Sequence, residues 1–575
     1  MRTNSHNLWV LFFLFEVLIG RALAIRFRWP WQREGKLPII SINSKIGTID
    51  QYIEKYDLLV KPGYQKDKDF RQKVEAALKK VAAPPQALNI YAVESSFLGC
   101  VAFEVATEQG SRDAISKVRN KFKNKLSKPV LVLSDPYAID IYGDDIYESW
   151  EDAPWTIPES EAIPRSFSSG SDPHSGAAMW ETSGDLGLDL GLSSPPPPRY
   201  LRLRDPNHQK ENRRSPASAF NIDQVPVVAD WYSGGLPEMR QISQPPGLYE
   251  DQVAEFGQLA DAFWNYKEGG KGQVVYVLDN GLDHLHQELA DVEFGDWIMA
   301  GYFPTDEKGG RRISPNQPTH ATMVTSKVAG RTLGAAREAK IIPVLFDSGR
   351  TDIGNSAFIA IIDGFAKIYD HIRRVNSRSN CIVNVSLILT PEHWQDLFLW
   401  NRVGFGDPRE IMEHYRKAMY YILEELNLLR NAILVLSAGN EDGTEIDGFP
   451  ANFGGDSKFS KRTVVVGGTD LDGHNYYQEA HFVRVWAPAA NLSLPCDPSG
   501  PGFGERFMSR RRDLCEPRFG TSFAAPMVTG VLATMLSAGV PIDKVISHMY
   551  SLAYPRVKGG RKVLYNGIST SQWHW

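Results

Sequence analysis

From Gln252 onward the chain alternates short aliphatic, β-branched runs with longer amphipathic stretches, and that alternation constrains the fold more than any other feature. The runs at 274–278, 340–345, 381–385, 432–436 and 463–466 are nearly continuous in Val, Ile and Leu. A strand with one wet face alternates apolar and polar residues, whereas a strand covered on both faces does not. Runs of this kind separated by helices predict an α/β fold, an open, mostly parallel sheet with helices on both faces.

The rest of the chain divides by composition. Arg2, a short apolar run over 8–20 and Ala22-Leu23-Ala24 have the charge, length and small residues of a cleaved secretory signal over 1–24. Residues 25–145 are expected to form a small α+β domain: extended segments at 39–42, 87–93, 100–105 and 130–133, and helices at 70–81 and 112–126. The second helix and its end carry Lys117, Arg119, Lys121, Lys123 and Lys125, read here as a solvated face. Residues 146–245 are rich in Ser, Gly, Asp and Pro, too poor in apolar groups to offset ordering, and read as a disordered linker containing the basic pair Arg213-Arg214. The sheet domain is expected over 246–560, with a tail over 561–575.

Charge and cysteine content exclude several function classes. Among 575 residues, 63 Lys and Arg against 68 Asp and Glu leave a net charge of −5, so no global positive field points to nucleic acid as a partner. Beyond the signal no stretch is apolar enough to span a bilayer, so no stable membrane span is expected after signal cleavage, and the product is expected to be secreted. Four cysteines do not make a disulfide scaffold, and none has zinc-ligand spacing; Cys496 and Cys515 are the nearest pair for a bridge, with Cys100 and Cys381 as buried thiols. No metal ligands are identified and no cofactor is required by the chemistry below. Gly269-Gly270-Lys271-Gly272 precedes a strand, so it is no dinucleotide loop, and neither a G-x-S-x-G elbow nor H-E-x-x-H occurs.

Four polar groups stand where strands or turns give way to loops and helices, the place where open α/β sheets collect active sites. Asp279 closes the run at 274–278 before Asn280-Gly281, and by itself fits a turn. His320 opens a segment whose Val324, Val328 and Ala329 give a helical apolar face; alone it fits a structural histidine. Ser522, in Gly520-Thr521-Ser522-Phe523-Ala524-Ala525-Pro526, sits at the start of a small-residue helix, where unpaired N–H groups favour a developing negative charge. Proline is expected in that helix's first turn. Asn440 ends the strand at 432–436 through Ser437-Ala438-Gly439 and offers an amide N–H to the same oxygen.

Taken together, Asp279-Asn280-Gly281 with His286, His320-Ala321-Thr322, Ala438-Gly439-Asn440 and Gly520 through Pro526 resemble, in order and context, the motifs of subtilisin-like serine proteases, the peptidase S8 or subtilase family. The resemblance covers about residues 250–555. It implies Ser522 as nucleophile, His320 as general base and then acid, Asp279 as the carboxylate that orients the imidazole, and Asn440 with the Ser522 N–H as oxyanion hole. It further implies polypeptide substrates, an inhibitory propeptide of the chain's own in the first α+β domain, and a structural calcium ion for which no contiguous ligand cluster appears.

The sequence also departs from the family pattern. Ala321 and Ala489 stand where glycine is usual, and Ser386-Leu387-Ile388-Leu389, the segment resembling the wall of the substrate pocket, has Ile388 and Leu389 in place of two glycines. Two readings stay open: a secreted endopeptidase working through an acyl-enzyme, or a peptide-binding or regulatory protein on an impaired protease scaffold. Asn491-Leu492-Ser493 is a glycosylation acceptor pattern in a loop, whereas Asn384-Val385-Ser386 falls in a strand.

Overall fold

The computed structural model describes residues 53–82, 90–108, 111–132, 225–230, 236–246, 262–301, 320–346, 357–390, 408–441, 443, 445–495, 514–515 and 519–572. The signal over 1–24, the strand at 39–42, Arg213-Arg214 and Cys496 lie outside these residues, so the Cys496 and Cys515 pairing does too.

The N-terminal part is an antiparallel sheet of four strands in the order β2-β3-β1-β4, formed by β1 (Ile53–Leu59), β2 (Ile90–Ser95), β3 (Gly99–Glu108) and β4 (Val130–Val132). It carries α1 (Lys68–Leu78), capped by the Asp67 carboxylate on the Phe70 N–H, and α2 (Arg112–Lys121). Strand β1 has no counterpart in the sequence reading. Helix α2 ends at Lys121, short of the expected 126, and Lys125 beyond it pairs with Asp67 at 2.9 Å.

A second small sheet pairs β5 (Val227–Asp230) with β6 (Phe263–Tyr266), and α3 (Pro237–Ser243) lies between them in sequence. The expected linker to 245 is corrected here. Residues from 225 belong to the folded domain because Met239 and Ile242 enter its core and Glu238 makes an ion pair with no solvent exposure. In the sequence, one short helix carries too little apolar pattern to stand out.

The large sheet has nine strands in the order β16-β17-β13-β12-β11-β10-β7-β9-β8. They are β7 (Val274–Asn280), β8 (Ile298–Ala300), β9 (Lys340–Phe346), β10 (Cys381–Val385), β11 (Ala432–Ser437), β12 (Thr463–Thr469), β13 (Val485–Pro488), β16 (Tyr554–Pro555) and β17 (Lys562–Val563). All neighbours run parallel except β16 and β17. The expected tail over 561–575 is corrected as well: Val563 pairs with Trp486, and Leu564 and Ile568 are fully buried. The intervening β14 (Leu494–Pro495) and β15 (Leu514–Cys515) form a short antiparallel pair.

Alternation along each strand sends side chains to two cores. Val274, Tyr276 and Leu278 face one core with α5 (Ala357–Arg374) and α6 (Pro408–Asn427); Val275 and Val277 face the other with α4 (His320–Ala329), α7 (Thr521–Ser537) and α8 (Val545–Leu552). Both faces are covered, which is why the strands read as unbroken apolar runs. The N-terminal sheet extends the first core, with Val93, Leu98, Val101 and Ala102 packed in the cluster that holds Ile361, Phe365 and Met419.

The chain passes from β7 to β9 on one side and places β10 on the other, so the strand order reverses between β7 and β10. Open α/β sheets bind ligands at the carboxyl ends of strands flanking such a reversal. Asp279 ends β7 and Ser386 follows β10.

Candidate active site

Asp279 is held at the end of β7 with its Oδ1 accepting the N–H of Asn280 at 2.7 Å. The same carboxylate meets His320 Nδ1 at 2.9 Å, with both side chains almost wholly buried. A carboxylate only accepts, so the imidazole proton is fixed on Nδ1 and the basic lone pair on Nε2. His320 is the first residue of α4, whose next residue, Ala321, packs with Leu282, Leu289 and Leu345. His286 instead caps a short 3₁₀ turn, accepting the Glu288 N–H, and stays outside this pair.

Ser522 is the second residue of α7, a helix buried on every side as its Ala, Val, Met and Leu content requires. Gly520 precedes it at φ +135, a conformation that a side chain would strain, and its N–H is held by Ala489 C=O at 2.7 Å. Phe523, next after Ser522, packs its ring 5.5 Å from the His320 ring, so the serine's helix and the Asp-His pair meet.

Pro526 is the sixth helical residue, beyond the expected first turn. It has no N–H, so the Ser522 carbonyl four residues earlier lacks its helical donor. Ser386 Oγ fills that vacancy at 2.8 Å, steadied by Asn384 Nδ2 at 2.9 Å. In return Ser522 Oγ donates to Ser386 C=O at 3.2 Å. The end of β10 therefore grips the serine at two points.

Asn440 is oriented by Thr521. The Thr521 N–H, a donor only, meets Asn440 Oδ1 at 2.8 Å, which fixes the amide oxygen and leaves Nδ2 as the donor half. Gly439 N–H donates to Thr521 Oγ1 at 3.1 Å. Sequence reading quoted Thr521 without a role; its position beside the serine is the one signal that marks it.

Leu387, Ile388 and Leu389 follow Ser386 and are all buried. Leu389 exchanges both backbone hydrogen bonds with Phe449, at 2.8 and 3.1 Å, so its main chain is not a free edge for an extended peptide. Ile388 Cδ1 packs against Gly439 and Gly448, whose α-carbons have room for it because neither bears a Cβ.

Asp470, Asp472 and His474 are a trio, among the described residues, whose donor atoms lie within 4.8 Å of one another. Asp470 already accepts the N–H groups of Asp472 and His474, which is the bonding of a turn. The thiols of Cys100 and Cys381 are free and buried, and burial pushes both up to about 12, away from nucleophilic chemistry. Asn384 is fully buried and Asn491 exposed. No helix among the described residues is long and apolar enough to cross a membrane.

The chain is similar to known proteins over part of its length. The chain is 26% identical over 310 residues to Subtilisin-like protease 5 of Arthroderma gypseum, covering 52% of this chain and 62% of that protein. It is 25% identical over 309 residues to Subtilisin-like protease 5 of Trichophyton verrucosum, with the same coverage. The match thus spans less than two thirds of these relatives' length. Among solved structures, a cold adapted subtilisin-like serine proteinase aligns at 18% identity and TM-score 0.38, covering 58% of this chain and 98% of that one. Fervidolysin from Fervidobacterium pennivorans aligns at 15% identity and TM-score 0.45, covering 91% and 62%. Residues 270–545 match the family model described as the subtilase family, peptidase S8.

Proposed function

We propose that the chain is the precursor of a secreted serine endopeptidase in which Ser522 attacks a peptide carbonyl. The observation that carries this reading is the buried Asp279 to His320 contact of 2.9 Å beside the N-terminus of the helix that bears Ser522. A serine hydroxyl becomes nucleophilic when a base takes its proton, and Nε2 of an imidazole fixed by a carboxylate is such a base. The Ser522 proton leaves Ser386 C=O for Nε2 as Oγ bonds to the carbonyl carbon. The oxyanion then receives hydrogen bonds from the Ser522 N–H and Asn440 Nδ2, and the imidazolium returns its proton to the leaving amine. Water repeats the sequence to release the acid.

The N-terminal sheet domain fits the role of propeptide and Ser386 through Leu389 that of substrate-facing segment; both assignments rest on the resemblance together with their contacts with the sheet domain and with Ser522. A polypeptide substrate and no cofactor are proposed, with any calcium purely structural.

The test is covalent labelling by an alkyl fluorophosphonate. Processed protein is expected to take up one equivalent at Ser522, and Ser522→Ala to take up none and to lose casein hydrolysis. A second reading, a peptide binder without turnover, is favoured by Ile388 filling the space beside Gly439. Absence of labelling in folded, processed protein selects it.

A further inference from the structure

Gln478 lies in an irregular stretch before β13, is only 2% exposed, and touches the Asn440 turn at three points. Its side-chain Nε2 donates to Ala438 C=O at 3.0 Å. Its backbone N–H donates to Glu441 C=O at 2.8 Å. Between these two carbonyls, Gly439 adopts φ +112, and a Cβ there would come within 2.6 Å of Gln478 Nε2. The glutamine therefore presses on the one residue of the turn that has no side chain, while bonding the residues on either side of it and of Asn440. Thr521 holds the Asn440 side chain; Gln478 holds the backbone from which that side chain projects.

We infer that Gln478 is a positioning residue for the oxyanion donor, setting the aim of Asn440 Nδ2 without touching the substrate. The inference rests on the proposed role of Asn440. Preorganised donors act only if their geometry is set before charge develops, so a turn free to rock loses transition-state stabilisation while leaving substrate binding intact.

Gln478→Met keeps length and bulk but removes the donor. Phosphonylation of Ser522 by an alkyl fluorophosphonate is the probe, because its attacked oxygen gains charge where a peptide carbonyl oxygen would. On processed full-length protein, the limiting labelling rate is expected to fall about tenfold, less than the roughly 100- to 1,000-fold that follows deletion of a donor. The half-saturating probe concentration should stay within about twofold and the pH midpoint of labelling should not move, since His320 is untouched. In an Asn440→Ala background the same change should have no further effect.

An equal fractional loss in both backgrounds, or a loss confined to half-saturation, overturns the inference. A rate lowered by Asn440→Ala but unchanged by Gln478→Met also overturns it while sparing the oxyanion reading. A rate unchanged in Asn440→Ala removes the oxyanion reading and the inference with it. Gln478→Glu, which turns an acceptor toward Ala438 C=O, gives the same decision if the Met variant does not fold; its loss is expected to be larger.

Discussion

Two segments dock on the parallel-sheet domain, and they do so by different chemistry. Helix α3 brings Glu238 to Lys327 of α4 at 2.9 Å with neither side chain exposed, and Glu238 also accepts the Ser493 N–H at 3.1 Å. The N-terminal sheet instead sets hydroxyls and one N–H on carboxylates of α5: Tyr91 on Asp363 at 2.6 Å, and Ser95 with the Ser96 N–H on Asp370. Tyr415 of α6 donates to Asp57 of β1, and Tyr421 to Leu98 C=O. A buried charge pair is ruinous to separate, because each ion is left without water or partner. Neutral donors return to water at small cost, and the buried Asp363 and the half-buried Asp370 keep Lys367 and Arg374 as partners when the sheet leaves. The first joint is expected to stay closed and the second to open, which is what the proposed propeptide role of the N-terminal sheet requires.

Breaking the closed joint should give the largest effect. Lys327→Met alone is expected to lower the unfolding free energy by about 3–5 kcal/mol, measured by urea titration, and Glu238→Met added to it should restore much of the loss. Because α4 carries His320, labelling of Ser522 should fall with the single change and recover with the double. Tyr91→Phe tests the open joint: docking of the processed N-terminal domain should weaken by about 1.5 kcal/mol, roughly tenfold in dissociation constant, with Asp363 still held by Gly301 and Lys367.

Alkali should loosen the same joint. Burial, with Glu425 and Tyr369 close by, pushes the Tyr421 hydroxyl up to about 12, and departure of the N-terminal sheet uncovers it and is expected to lower that value toward the ordinary one of about 10. The docked form binds its proton more tightly, so this contribution is complete below pH 10 and is lost as pH rises through about 12. Retention of the domain on immobilised enzyme across that range measures it, and Tyr421→Phe should flatten the dependence. Arg374→Ala, removing an exposed partner of Asp370, should change docking by under about 1 kcal/mol in 0.15 M salt.

The central strands were legible because burial on both faces leaves no polar residue to blur the pattern; 381–385 coincides with β10. Asp279, His320, Asn440 and Ser522 were legible because each ends an apolar run or opens a helix. Gln478 was not, since its contacts span about forty residues and a glutamine in an irregular stretch has no local signature. Helix α3 escaped for a related reason: its anchoring partner, Lys327, lies 89 residues away. The C-terminal strand was lost because two residues, Lys562 and Val563, are too few to show alternation.

Pro526 makes the nucleophile's helix depend on a neighbour that is not a helix. Were residue 526 able to supply its own N–H, the helix would heal itself, and the Ser386 hydroxyl would have to compete for the Ser522 carbonyl. The ring thus trades autonomy of one element for a mechanical link between two, so that the strand wall and the attacking alcohol shift as a single part.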